Sequence, residues 1–134
     1  MRRTRPKNTA NAKFKAAFEL AKRFPGVELD TSYGTPALKV KGKFMARLRT
    51  EAEGWLAIRC EFLLRDILLN AQPDVFHLTD HYRNYPFILV DLKKITKGAL
   101  LDILEQGWRM SASKKLLREY DEVPPKPRRK SSRR

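Results

Sequence analysis

The sequence has few of the residues that most recognisable sites require. It contains one cysteine, six glycines and 15 acidic residues against 29 basic ones. A single cysteine excludes an internal disulfide and is compatible with a reducing compartment. No stretch reaches the roughly 20 apolar residues that a membrane-spanning helix needs. No apolar segment follows the basic residues 2–5 either, so we expect a cytoplasmic protein without a membrane segment.

Catalytic patterns are also missing. The sequence has no glycine-rich phosphate loop, no nucleophile elbow and no acidic pair that a predicted cleft would bring together. Asp80 and His81 are adjacent, and adjacent residues of an extended chain point to opposite sides. His77 and His81 lack a third ligand at suitable spacing beyond Asp74 or Asp80. We therefore predict a binding protein with no catalytic residues, no metal site and no cofactor.

The basic residues are concentrated at the two ends of the chain. The net charge is +14, and residues 1–7 hold four basic and no acidic residues, while residues 121–134 hold six basic and two acidic ones. The remaining 8–120 hold 19 basic and 13 acidic residues. We predict a flexible basic N-terminus over 1–7, one domain over 8–120 and a disordered basic tail over 121–134. The tail, with Arg128, Arg129 and Lys130, would be open to any polyanion.

The spacing of apolar residues predicts both helices and strands. Helical spacing of apolar residues predicts helices over 9–24 and 61–72 and in a C-terminal segment that begins at Thr96. In 61–72 the pattern consists of Leu63, Leu64, Ile67 and Leu68. Alternation predicts strands on both sides of a tight turn near Gly42, and further strands at 55–60, 75–78 and 87–92. Residues 27–35 are interpreted as a connector. The order α-β-β-β-α-β-β-α predicts an α+β domain, an antiparallel sheet with helices packed on one face.

One face of this sheet is predicted to be basic, since residues 31–50 hold five basic residues and no acidic one. The side chains expected there, opposite Leu38, Val40, Phe44, Leu48, Leu56 and Ile58, are Lys39, Lys41, Lys43, Arg47, Arg49 and Arg59. Trp55 is expected on the same side. Cations pair with phosphates and aromatic rings stack on bases, so this face fits weak, sequence-independent nucleic-acid binding or another polyanion. Alternatively, the lysines only keep the solvent face of the sheet polar.

A second candidate surface is the polar loop before the apolar strand 87–92. Candidate pocket residues are His77, His81, Arg83, Tyr85, Trp108 and Arg109, with Tyr85 stacking on a base or packing against Trp108. This loop suggests an alternative function, in which the protein is a protein-interaction or small-ligand-binding module. Alternatively, Tyr85 and Pro86 simply order the entry to the strand.

Several motifs in order resemble one known family. They are Gly34-Thr35-Pro36, Lys41-Gly42-Lys43, Asp80-His81-Tyr82-Arg83-Asn84-Tyr85-Pro86 and Gly107-Trp108-Arg109-Met110 followed by Lys114-Lys115-Leu116. From about Pro25 to Arg118 the chain resembles the MmcQ/YjbR family of small bacterial proteins. The resemblance implies a frataxin-like two-layer sandwich and the DNA-binding label that family members usually carry. We expect a monomer rather than an oligomer.

Overall fold

A computed structural model describes residues 6–32, 34–49 and 54–122. These residues form four helices and six strands. In chain order they are α1 (Pro6–Ala21), β1 (Val27–Ser32), β2 (Thr35–Val40), β3 (Lys43–Leu48), β4 (Trp55–Arg59), α2 (Phe62–Ala71), β5 (Phe76–His77), β6 (Phe87–Asp91), α3 (Lys97–Ser111) and α4 (Lys114–Glu122). A 3₁₀ turn at Asp80–Tyr82 lies between β5 and β6.

The strands form one antiparallel sheet in the order β1-β2-β3-β4-β6-β5. This confirms the predicted α+β class. The interpretation of residues 27–35 as a connector is wrong, because β1 pairs with β2 from Val27 opposite Val40 to Ser32 opposite Thr35. β1 is an edge strand with two apolar residues, and one of them, Leu29, is 54% exposed. β1 is therefore held by main-chain pairing with β2 more than by burial of its side chains. An apolar pattern in the sequence indicates burial, so it did not reveal this strand.

The core lies between the sheet and the helices. Phe14 of α1 and Trp108 of α3 are buried in it, and Leu68 of α2 and Leu116 of α4 pack against it. The helices thus lie on one face of the sheet, as predicted. Thr96 caps α3 as predicted, since its hydroxyl accepts a hydrogen bond from the Ala99 amide at 3.1 Å. We call the opposite face of the sheet the outer face.

The outer face is partly covered by the chain between β5 and β6. Tyr82 packs there against Ala57 and Leu89, with Trp55 and Phe87 beside them. This small second cluster fixes the loop over the sheet, so the predicted loop and the predicted sheet face lie in one place.

Both ends of the described chain are helical. α1 begins at Pro6 and α4 ends at Glu122, two residues beyond each predicted domain boundary. Residues 1–5 and 123–134, which include Arg128, Arg129 and Lys130, lie outside the described residues. Within the described ranges, each helix is too short or too polar to cross a membrane.

Candidate functional site

The hairpin of β2 and β3 decides which basic side chains reach the outer face. Its two turn residues, Lys41 and Gly42, have φ of 51° and 87°, as the tight hairpin turn requires. Lys39 pairs with Phe44, but Leu38 pairs with Ala46, so Met45 is an extra residue that forms a β-bulge. Met45 and Ala46 are both fully buried in the core. Phe44 therefore lies on the outer face beside Lys39, and the prediction that it faces the core is wrong.

The predicted basic face is divided between the two sides of the sheet. Lys43 pairs with Val40, which is buried in the core, and directly paired residues share a face. A methyl group built on Gly26 would lie 3.1 Å from Cγ of Lys41 and 3.2 Å from Cδ1 of Leu116 in α4. Lys41 and Lys43 therefore lie at the turn between β2 and β3, on the side of the sheet where the helices pack. The bulge and the turn place them there. Their assignment to the outer face is wrong.

The other four cations do lie on the outer face, and each is held in place. Lys39 forms an ion pair with Asp30 at 3.2 Å. Arg47 donates to the Thr35 hydroxyl at 3.2 Å. The Thr31 amide and then Lys39 lower the pKa of the Asp30 carboxyl, so the carboxylate beside Lys39 stays charged.

The two remaining arginines lie against aromatic rings. The guanidinium of Arg49 is 6.0 Å from the centre of the Tyr82 ring, and that of Arg59 is 5.8 Å from the centre of the Phe87 ring. Arg59 also donates to the Phe44 carbonyl at 2.9 Å. Cations and rings are therefore interleaved over this face.

The loop from Asp80 to Pro86 forms one side of the site. Tyr82 is 8% exposed and its ring lies 5.6 Å from the Phe87 ring. His81 contacts Tyr82 edge-on at 4.8 Å, while Tyr85 is 58% exposed. The Tyr85 amide donates to the Tyr82 carbonyl at 3.0 Å, which closes the turn. The loop therefore presents one buried ring as a support and one exposed ring for contact.

A buried arginine from α2 holds this loop. Arg65 is 6% exposed. Its guanidinium donates to the carbonyls of Tyr85 at 2.8 Å, Arg83 at 2.9 Å, Phe87 at 3.2 Å and Tyr82 at 3.3 Å. Sequence reasoning missed this residue. The available signal was that Arg65 is the one basic residue of the predicted helix 61–72 and directly follows the apolar run Phe62-Leu63-Leu64.

Together the hairpin and the loop enclose an open groove of about 790 Å³. It is lined by two cations, four aromatic rings, an imidazole and a turn glycine, namely Lys39, Arg47, Phe44, Tyr82, Tyr85, Phe87, His81 and Gly42. The Phe44 and Phe87 rings are 5.7 Å apart, so they form a continuous aromatic floor. The sequence predicted a basic face and a loop as separate surfaces, and the fold joins them.

Several predicted pocket residues lie elsewhere. His77 stacks on Trp55 with ring centres 4.2 Å apart and planes 2° from parallel, outside the groove lining. Arg83 is ion-paired with Asp80 at 2.7 Å at the exposed edge of the loop. Neither residue lines the groove.

The predicted contact between the loop and Trp108 is wrong. Trp108 is fully buried on the helix side, stacks on Phe24 at 5.5 Å and donates to the Pro25 carbonyl at 2.8 Å. Arg109 is ion-paired with Glu105 at 3.0 Å and Asp121 at 2.9 Å. The sheet separates both residues from the loop because α3 packs on the opposite face.

The histidine, cysteine and acidic side chains of the described residues are the groups that could bind a metal or act as a nucleophile. Over 6–32, 34–49 and 54–122, no three His, Cys, Asp or Glu side chains are grouped closely enough to hold a metal ion. Cys60 is fully buried, and burial raises the pKa of its thiol to about 12. A protonated, inaccessible thiol is a poor nucleophile.

Comparison with known proteins assigns the family. No curated protein matches the chain. The model of the YjbR family matches residues 22–110, which is more than half of the chain and includes the hairpin, α2, the loop and most of α3. The resemblance to this family is confirmed, and the chain belongs to the YjbR family.

Proposed function

We propose that the groove binds nucleic acid with unpaired bases, without sequence preference. The observation that carries the proposal is the presence of two cations and four aromatic rings in one open groove. Cationic side chains follow the phosphate backbone and rings stack on exposed bases in proteins that bind single strands. Binding rather than catalysis is the activity we propose.

The surroundings of the groove favour a single strand over a duplex. The bases of a duplex are stacked on each other, so the ring of Tyr85 has no face to stack on. A straight duplex lying across the sheet would also meet Glu28 and Asp30 of β1, which pair with Lys39 and Ala37. Acidic residues repel the phosphates of such a rod, while a flexible strand can turn within the groove.

The lining also explains why no sequence preference is proposed. Lys39 and Arg47 supply charge, and the rings offer flat surfaces that accept any base. No asparagine or glutamine lines the described groove, and these residues are the usual readers of adenine. The tail residues Arg128, Arg129 and Lys130 would add encounter rate and avidity without base contacts.

The rival function, a small-ligand site, is favoured by the size of the groove. Small-molecule sites measure about 300–1,000 Å³, and this groove measures about 790 Å³. A nucleotide monophosphate has the same charge and ring chemistry as one unit of a strand. Competition by a mononucleotide against a strand therefore separates the two functions.

The test is fluorescence anisotropy of a labelled 12-nucleotide oligothymidylate and of a duplex of the same length, titrated with the full chain over a salt series. We expect tighter binding of the single strand. Each lost phosphate contact should lower the slope of log affinity against log salt by about 0.7 for a single strand, so Lys39→Gln should lower it by that amount. Tyr85→Ala should cost about 1 kcal/mol of binding, roughly fivefold, with an unchanged slope.

The hairpin provides matched controls. Lys43→Gln removes the same charge from the helix side of the hairpin end and should leave slope and affinity nearly unchanged, while Tyr85→Phe keeps the ring and should bind normally. A triple variant, Arg128→Gln with Arg129→Gln and Lys130→Gln, measures how much the tail contributes to the binding affinity. The proposal is wrong if Lys39→Gln and Lys43→Gln have equal effects, or if the tail variant abolishes all binding. Full displacement by thymidine monophosphate at a concentration comparable to that of the strand would favour the small-ligand function.

A further inference from the structure

The helix α2 has an unusual distribution of side chains. Its outward surface carries Leu63, 72% exposed, and Ile67, 55% exposed, which are four residues apart and therefore adjacent on the helix. Phe62 beside them is 47% exposed, whereas Arg65 is 6% exposed. The helix thus presents large apolar residues to solvent and buries its one cation.

The contacts of Arg65 explain this orientation. Its guanidinium must face the loop to reach the four carbonyls, and it lies 4.8 Å from the centre of the Phe62 ring. Leu64 and Leu68 pack against the core from the same helix. With these sides fixed, Leu63 and Ile67 must point outward. Large exposed apolar residues that are adjacent on one element are typical of interaction surfaces.

The charge around these apolar residues is opposite to that of the chain as a whole. Residues 61–80 hold four acidic residues and no lysine or arginine except the buried Arg65. Glu61, Asp66 and Asp74 are exposed. Asp66 is three residues from Leu63 and is therefore its neighbour on the helix surface. The surface is therefore apolar and acidic in a protein of net charge +14.

We propose that this outward surface of α2 is a docking site for a basic amphipathic helix of a partner protein. Apolar residues of the partner would cover Leu63, Ile67 and Phe62, and its lysines or arginines would lie beside Asp66. Glu61, at the N-terminal end of the helix next to Phe62, would add negative charge there. Opposite charges around an apolar centre give such an interface its selectivity. A second copy joined through the same surface would bring the two Asp66 carboxylates towards each other, which is unfavourable. The site is separate from the groove, because α2 packs on the helix side of the sheet.

The test uses two synthetic peptide probes and the uniformly ¹⁵N-labelled full chain. Both are 18-residue amphipathic helices with the same leucine face, and the polar face is lysine in one and glutamate in the other. We expect the lysine peptide to bind with amide shifts concentrated in residues 61–74, and the glutamate peptide to bind at least tenfold more weakly. Leu63→Ser with Ile67→Ser should lower affinity for the lysine peptide at least tenfold. Asp66→Lys should reverse the preference between the peptides.

The controls make the result specific to α2. Tyr85→Ala, in the groove, should leave peptide affinity unchanged. The Leu63→Ser and Ile67→Ser variant should keep the far-ultraviolet circular dichroism spectrum of the parent, since both side chains are mostly exposed. Equal affinity for the two peptides, or shifts that lie mainly outside α2, would overturn the proposal. So would concentration-dependent dimerisation in sedimentation that the double substitution abolishes, because the occupant would then be a second copy.

Discussion

Replacing Arg65 with methionine is expected to destabilise the protein and to open the groove. Methionine keeps the length and apolar stem of the side chain but removes every donor. The carbonyls of Arg83 and Phe87 then lose the guanidinium that they bind, while those of Tyr82 and Tyr85 keep the amides of Tyr85 and Phe87 as donors. Each buried acceptor that is left without a donor costs about 1–3 kcal/mol. Part of this loss is recovered because water can reach the loop at the exposed residues Arg83 and Tyr85.

We therefore expect a loss of about 3 kcal/mol in the free energy of unfolding, out of the roughly 5–15 kcal/mol typical of a small domain. Urea unfolding followed by far-ultraviolet circular dichroism measures it. Arg65→Lys keeps the charge but not the planar fork, so its loss should be intermediate, and this variant remains measurable if the methionine variant does not fold. Hydrogen exchange should show faster exchange of the amides of residues 82, 83 and 85.

Arg83→Met is the matched control. Arg83 makes an ion pair with Asp80 in which the two side chains are 63% and 93% exposed. Exposed pairs contribute little, so this variant should lose less than about 0.5 kcal/mol. A loss of that small size for Arg65→Met as well would refute the reasoning, because the four carbonyls would then not depend on the guanidinium.

Further predictions concern the core and the exposed ion pairs. Gly107→Ala should destabilise by about 1–3 kcal/mol in urea unfolding, since its new methyl group would lie 2.7 Å from Cγ1 of Ile58; an unchanged midpoint would contradict this packing. Cys60 should resist a thiol reagent at pH 8 in the folded protein and react in urea, because burial raises the pKa of its thiol to about 12; rapid reaction of the folded protein would contradict the burial. Hydrogen bonds from Arg109 lower the pKa of Asp121 in the folded state, so the pairing stabilises above the ordinary carboxyl pKa of about 4 and is lost as the pH falls through the lower folded value. In the Asp121→Asn variant the melting temperature should therefore fall less steeply below about pH 4 than in the parent. The same steepness in both proteins would show that the pair is not formed.

The sequence predicted the fold class because most of the sheet and core depends on local apolar patterns. The strands around Gly42 and the strand 87–92 alternate or are apolar throughout, and Thr96 has the chemistry of a helix cap. β1 escaped detection because an edge strand needs little burial. The bulge at Met45 could not be predicted, since it is set by the register between β2 and β3 and not by either strand alone.

The candidate site was predicted in its parts and not in its assembly. The basic character of Lys39 and Arg47 and the aromatic character of Tyr85 are evident in the sequence. Their meeting depends on the loop folding back over the sheet. The packing of Tyr82 against the outer face and the hydrogen bonds of the distant Arg65 together hold it there. Trp108 was assigned to the site from its place in a motif, but a motif records residue order and not the side of the sheet on which each residue lies.

The way in which Arg65 holds the loop has a consequence for how the site can change. The guanidinium contacts carbonyl oxygens, which every amino acid possesses, and no side chain of the loop takes part in these four bonds. The side chains at positions 83, 84 and 85 can therefore vary while the path of the main chain is retained. The loop side of the groove can therefore change its side chains without a change of fold. A library randomised at these three positions, with Arg65 kept, should yield folded proteins that place different side chains beside the same Phe44 and Phe87 rings.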